Sequence, residues 1–306
     1  AEISNLYKPG SDLRITTDEA GTTEVPFEIV AMDTVAETSE IWAKIPTLEY
    51  DADTSIFIWY GNTSALNYNP NAPFGSQNVW TNYVAVYHLE NNIFDSTGNN
   101  DGSSKGAGAT YTTGKNGTGM DFDGGATGNW QIADNASFDS AANKFVIQCW
   151  ANPDAVDSHF INLDSGQAGR RALYPAPSSE GWRCQFRNDG GTAYAAVEGQ
   201  TAAIGSWEMI HGVYDAATLK LYVDGAEDGS TSISTTVVDM GGTGYIGRHP
   251  SAADYFNGQG DEIRFMIIDL SADWIATEFN NQDDPSTFWS EVSAGGFSLG
   301  LMGVGK

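Results

Sequence analysis

Apolar residues recur along this chain at every second position in short runs, the period of strands that bury one face. Near the start Ile41, Ala43 and Ile45 alternate with Trp42 and Lys44, and Ile56, Ile58 and Tyr60 form a second such set. Together with the runs Asp12 to Thr16 and Val25 to Val30, they predict a small β-sandwich. Further runs follow at 83–89, 119–123, 130–132, 145–151, 182–187, 207–214, 219–223, 244–247 and 261–268, separated by Gly, Asn, Asp, Ser and Thr. Leu219 to Val223 leads into Asp224-Gly225, the dipeptide of a tight type I′ hairpin, so these strands are antiparallel. A single helix is predicted over Ala272 to Asn280, with Ser271 as its N-cap and Ile275 and Phe279 on one face.

The pattern breaks where Asn, Pro, Ala, Gly and Ser displace apolar residues, between Asn67 and Gly75. We therefore expect a small β-sandwich over 1–62, a linker over 63–82 and a larger body over 83–290. The remainder, 291–306, alternates Gly with apolar residues; it is expected to lean on the chain's own sandwich or on another subunit.

Composition supports packing and narrows the partners. Hydrophobic residues make up 41% of 306 positions and aromatics 12%, ample for a core. Lys and Arg total 14 against 40 Asp and Glu, a formal charge of −26 that repels phosphate backbones and anionic lipid. Nucleic acid and membrane insertion are thus set aside; no apolar run reaches the roughly 18 residues of a span. The chain starts at Ala1 without a basic and apolar leader, which fits either a removed leader or a processed or trimmed form. Cys149 and Cys184 each share a strand face with apolar neighbours, as core thiols or as a disulfide pair. The four histidines are scattered at 88, 159, 211 and 249, and no nucleophile and base pair is legible.

Six segments in order carry a family resemblance: Asp95 to Gly102, Met120 to Gly124, Phe145 to Pro153, Trp207 to Asp215, Leu219 to Gly225 and Gly258 to Arg264. They resemble the landmarks of the LamG-like branch of concanavalin A-like lectin and glucanase domains. The stretch Ser271 to Gln282 resembles the helix that closes many such domains. Residues 1–62 are similar, through Asp12 to Ile15, Ile41 to Pro46 and Ile58 to Asn62, to a small β domain of unknown function that often precedes them. The resemblance implies an all-β chain: a small sandwich, then an antiparallel jelly roll with one short C-terminal helix.

It also implies a non-enzymatic surface module that recognises a glycan or a cell-surface receptor, located outside the cell or on a cell or virion surface. Hydrolytic relatives carry Glu-x-Asp-x-x-Glu; here Asp261 and Glu262 are adjacent and are expected on opposite strand faces. The alternative is an architectural subunit of a virion or other assembly, oligomerising through 293–306. The same resemblance implies a structural calcium near Asp261, helped by Asp121, Asp123 and Gly124, unless these carboxylates only bond turn amides. For sugar stacking the candidate loop residues are Arg170, Arg171 and Tyr174, then Trp130, then His249, Tyr255 and Asn257. Trp130 also reads as core.

Overall fold

The computed structural model describes residues 11–304, except 50, 141, 157, 164–170, 177–180, 188–193, 201–203, 234–238, 251–253 and 291–300. The chain divides into two units: residues 1–81 with 280–306, and residues 82–279. Residues 63–81 of the expected linker belong to the first unit, where Val79 and Trp80 are buried.

In the first unit β1 (Arg14–Thr16) pairs with β4 (Phe57–Trp59), and β2 (Phe27–Asp33) with β3 (Thr38–Lys44), all antiparallel. Leu13, Ile15, Val25, Phe27, Ile41, Ala43 and Ile45 form one core between them. The alternation read from Ile41, Ala43 and Ile45 is the inward face of that strand and its exit.

The second unit is built of two antiparallel sheets. One has eight strands: β5 (Tyr83–Tyr87), β7 (Ala109–Thr113), β8 (Thr118–Asp123), β10 (Phe145–Pro153), β15 (Glu208–Tyr214), β16 (Thr218–Val223), β17 (Ala226–Ser232) and β19 (Asn257–Met266). The other has seven: β6 (Gly102–Ser103), β9 (Trp130–Ile132), β11 (Ile161–Leu163), β12 (Arg171–Pro175), β13 (Trp182–Arg187), β14 (Tyr194–Glu198) and β18 (Gly244–Ile246). Alternate residues of both meet in one core: Phe145, Ile147 and Cys149 of β10 among residues such as Leu173, Cys184 and Ile246. At Gly212 the two sheets pack closely enough that a β-carbon would lie 2.3 Å from the Cys184 sulfur. Cys149 and Cys184 are free buried thiols, and burial pushes both thiols above their usual range.

Between β16 and β17, Asp224 and Gly225 both take positive φ, 48° and 81°, as the type I′ reading required. The helix α1 (Ala272–Asp283) begins with the Ser271 hydroxyl accepting from the Trp274 amide at 3.1 Å. Its Ile275 packs with Val146, Val213, Tyr222 and Met266 on the outer face of the eight-stranded sheet, and Phe279 lies 5.8 Å from the Trp150 ring. Coverage on both sides explains why β10 is buried at almost every position.

After α1, α2 (Pro285–Phe288) is capped by Asp284, and β20 (Leu301–Val304) pairs in parallel with β3. The end of the tail therefore joins the chain's own first unit; residues 293–300, also expected to meet a neighbour, lie outside the described residues. No helix among the described residues is long and apolar enough to cross a membrane.

Candidate functional site

In each sheet of the second unit one face is the shared core, so any site must lie on an outer face, at the edges or in the loops. The outer face of the seven-stranded sheet carries a polar row set by register: Ser103, Gln131, Tyr245, Asn162, Ala172, Gln185 and Ala196 are successive cross-strand partners. Asn162 and Gln185 are buried there, and both are hydrogen-bonded.

Loops at the ends of β10, β12 and β18 bring aromatic and cationic side chains onto this row. His159 stacks on Tyr174 with ring centroids 3.9 Å apart and meets the His249 ring edge-on at 4.6 Å. Asn162 contacts the His159 Nδ1 and donates its Nδ2 to the Arg248 carbonyl at 3.1 Å. The Tyr174 hydroxyl donates to Gln185 at 3.3 Å. The Arg248 guanidinium lies 5.0 Å from the Tyr245 ring centre and 5.8 Å from that of Tyr255. Tyr174 and His249 are buried, whereas His159, Tyr245, Arg248 and Tyr255 are half-exposed.

Three of the sequence candidates, Tyr174, His249 and Tyr255, are thus brought together, the first from β12 and the others from the segment after β18. His159, Asn162, Tyr245 and Arg248 join them although the sequence reading did not single them out for binding. A polar Asn162 inside the short strand Ile161–Leu163 was the available signal, since its apolar neighbours face the core. Two candidates are corrected. Trp130 is fully buried, 4.8 Å from the Tyr87 ring, because β9 turns it inward with Ile132. Arg171 is two residues from Leu173 and shares its inward face; its guanidinium lies 4.2 Å over the Phe145 ring. Asn257 pairs with Asp123 at the β8–β19 seam, and Arg170 lies outside the described residues.

The residues implied for calcium do not fit a single ion. Asp123 pairs with Asn257, which is four residues before Asp261, or about 13 Å of strand. Both oxygens of the Asp261 carboxylate accept backbone amides, from Glu262 at 2.8 Å and Asn116 at 2.9 Å. Asp123 accepts the Gly125 amide at 2.8 Å, and Gly124 donates to the Phe256 carbonyl. Asp121 does lie near other acids: burial, then the charges of Asp154 and Asp123, raise its carboxyl above the usual range.

The outer face of the eight-stranded sheet carries a different chemistry. Glu262 sits at a β-bulge with φ 49°, where the pairing of β10 and β19 slips by one residue. The extra residue places Asp261, opposite the outward Trp150, and Glu262, two from the outward Arg264, on one face, correcting the expectation of opposite faces. Neither is available to a substrate. Glu262 and Arg264 are fully buried and ion-paired, the other Glu262 oxygen lies 2.7 Å from His88 Nδ1, and Arg264 donates to Glu278 at 2.7 Å. Glu278 in turn lies 3.3 Å from His211 Nε2. Burial pushes the Glu262 carboxyl up, but His88 and Arg264 outweigh it and hold it down at about 2. Glu278 is likewise lowered against its burial, by His211 and Arg264.

Two facing antiparallel sheets, a closing helix and a loop-decorated outer face define a jelly roll of the lectin type. The chain belongs to the concanavalin A-like lectin/glucanases superfamily, whose family model matches residues 123–276. Residues 9–75 match a domain of unknown function, DUF2341. No curated protein matches the chain. Among solved structures it is similar to the binding domain of Paraclostridial Mosquitocidal Protein 1, with TM-score 0.56 and 14% identity over 66% of this chain and 52% of that one. It is also similar to domain 4 of AbnA, a GH43 extracellular arabinanase from Geobacillus stearothermophilus, in complex with arabinotriose (TM-score 0.54, 18% identity, 63% of this chain and 96% of that one). The Botulinum Neurotoxin serotype G binding domain gives TM-score 0.56 and 11% identity over 66% of this chain and 51% of that one. The chain thus spans about half the length of the two toxin binding domains. At these identities the likeness is one of fold.

Proposed function

We propose that this chain is a non-enzymatic, extracellular recognition module that binds a glycan on the outer face of its seven-stranded sheet. The observation that carries the reading is the convergence of His159, Tyr245, Arg248 and Tyr255, half-exposed, over a floor of hydrogen-bonded amides from Asn162 and Gln185. Sugars are recognised by this combination: flat rings for the C–H faces, fixed donors and acceptors for the hydroxyls. Two neighbours of the same fold named as binding domains, and a third, domain 4 of an arabinanase, in complex with arabinotriose, support the reading. Hydrolysis gains no support from Asp261 and Glu262, whose carboxylates are occupied by backbone amides and buried cations.

An architectural role through the tail has less behind it, because the strand Leu301–Val304 is already paired with β3. Replacing Tyr245 by Ala should weaken glycan binding about tenfold, the usual cost of removing a central aromatic contact. A glycan array followed by calorimetry on the best ligand measures this. Undiminished affinity in a folded Tyr245→Ala protein would move the site elsewhere.

A further inference from the structure

We infer that the ligand of this face carries an isolated carboxylate, as a uronic or sialic acid does, and that Arg248 is the residue that holds it; the inference rests on the glycan reading above. In a chain of charge −26, cations normally find carboxylates, and other arginines of the chain do. Arg183 pairs with Glu198 at 2.7 Å, Arg264 with Glu262 and Glu278, and Arg14 with Glu24 at 3.6 Å. Arg248 does not: among the described residues no carboxylate lies within ion-pairing distance of it. Its Nε instead donates to the His249 carbonyl at 3.0 Å and its Nη2 to the Pro250 carbonyl at 3.2 Å.

Those two bonds fix the orientation of the guanidinium. They occupy its side edge, formed by Nε and Nη2, while Tyr245 and Tyr255 flank the plane. The end edge, formed by Nη1 and the second hydrogen of Nη2, keeps two parallel N–H donors. That spacing matches the two oxygens of a carboxylate, and a side chain already held by carbonyls and rings loses little entropy on binding. The group is half-exposed, so it is reachable from solvent.

The same charge balance limits the ligand to one or few acidic groups. A polyanion would extend past the roughly 8 Å over which salt screens charge and meet the acidic remainder of the protein. A saccharide with a single carboxylate needs only the local cation, and its neutral sugar rings can use His159, Tyr245 and Tyr255.

The test uses a panel of uronate- and sialate-terminated oligosaccharides, each beside its carboxyl-reduced neutral twin, titrated calorimetrically into the intact chain and into Arg248→Gln and Arg248→Lys. The wild type should bind a carboxylated member at least about tenfold more tightly than its twin, as a charge-assisted bidentate pair commands. Arg248→Gln should erase that preference, so that acid and twin bind alike whatever the absolute affinity, and Arg248→Lys, with charge but no fork, should keep only part of it. The Lys variant decides should the Gln variant fail a melting control. Equal binding of acid and twin by the wild type would overturn the carboxylate while leaving a glycan site standing. A preference that survives Arg248→Gln would overturn the role of Arg248. Binding of neither form by the wild type would overturn the glycan reading itself.

Discussion

Replacing Arg264 by alanine is expected to destabilise the second unit by about 3–5 kcal/mol, the cost of stranding buried charges. For a unit of this size that is a fall in melting temperature on the order of 10 °C. Arg264 is fully buried and pairs with both Glu262 and Glu278, which are buried with it. Removing the arginine leaves two buried carboxylates without their shared cation, with His88 and His211 among their remaining partners. Combining Arg264→Met with Glu262→Gln and Glu278→Gln should recover much of the loss, since apolar and neutral groups need no counter-charge there.

The network also sets an acid dependence. The Glu262 carboxyl is held at about 2 in the folded chain against an ordinary 4.5, so its contribution is complete above pH 4.5 and is lost as the pH falls from there toward 2. Glu278 is lowered in the same direction. In the Arg264→Ala protein protonation relieves the buried charge, so the gap to wild type should narrow across that window. Thermal melts of both proteins from pH 7 to pH 3 measure it; a gap that stays constant or widens would contradict the assigned ion pairs.

Asp95→Ala should cost about 3–4 kcal/mol by leaving several buried amides without an acceptor. One oxygen of Asp95 accepts from the Val86 and Thr97 amides, both at 2.9 Å, and the other from the Asn99 and Asn100 amides at 3.1 and 2.9 Å. The Thr97 hydroxyl donates to the same carboxylate, which is only 4% exposed. A single side chain thus organises the turn from Asp95 to Gly102 and ties it to β5. Asp95→Asn keeps one carbonyl oxygen and should lose roughly half as much. Urea denaturation separates the two; an alanine variant within about 0.5 kcal/mol of wild type would mean that water replaces the carboxylate at no cost.

The Asp95 turn was legible in the sequence because its bonds are local: an Asp followed by Thr, Gly and Asn can satisfy its own amides. The same holds for Asp224-Gly225 and for the Ser271 cap. Strand alternation by itself places Phe145, Ile147 and Cys149 on the core face. What failed was what depends on distant partners. The bulge at Glu262 carries no mark in Gly258 to Arg264, because only the register against β10 creates it. Arg171 reads as a loop cation until β12 turns it onto Phe145. The pairing of Leu301–Val304 with β3 joins segments too far apart for any local pattern to announce. The binding face was half legible for the same reason: Tyr174, His249 and Tyr255 stood out by type, whereas Asn162, Tyr245 and Arg248 acquire meaning only from the cross-strand row.

The most direct test of this account is an amide chemical-shift titration of the 15N-labelled protein with the tightest oligosaccharide from the array. The predicted result is a saturable set of shifts confined to β11, β12, β18 and the segment from Arg248 to Tyr255. Shifts centred on the eight-stranded sheet or on the first unit, with that set unmoved, would contradict it.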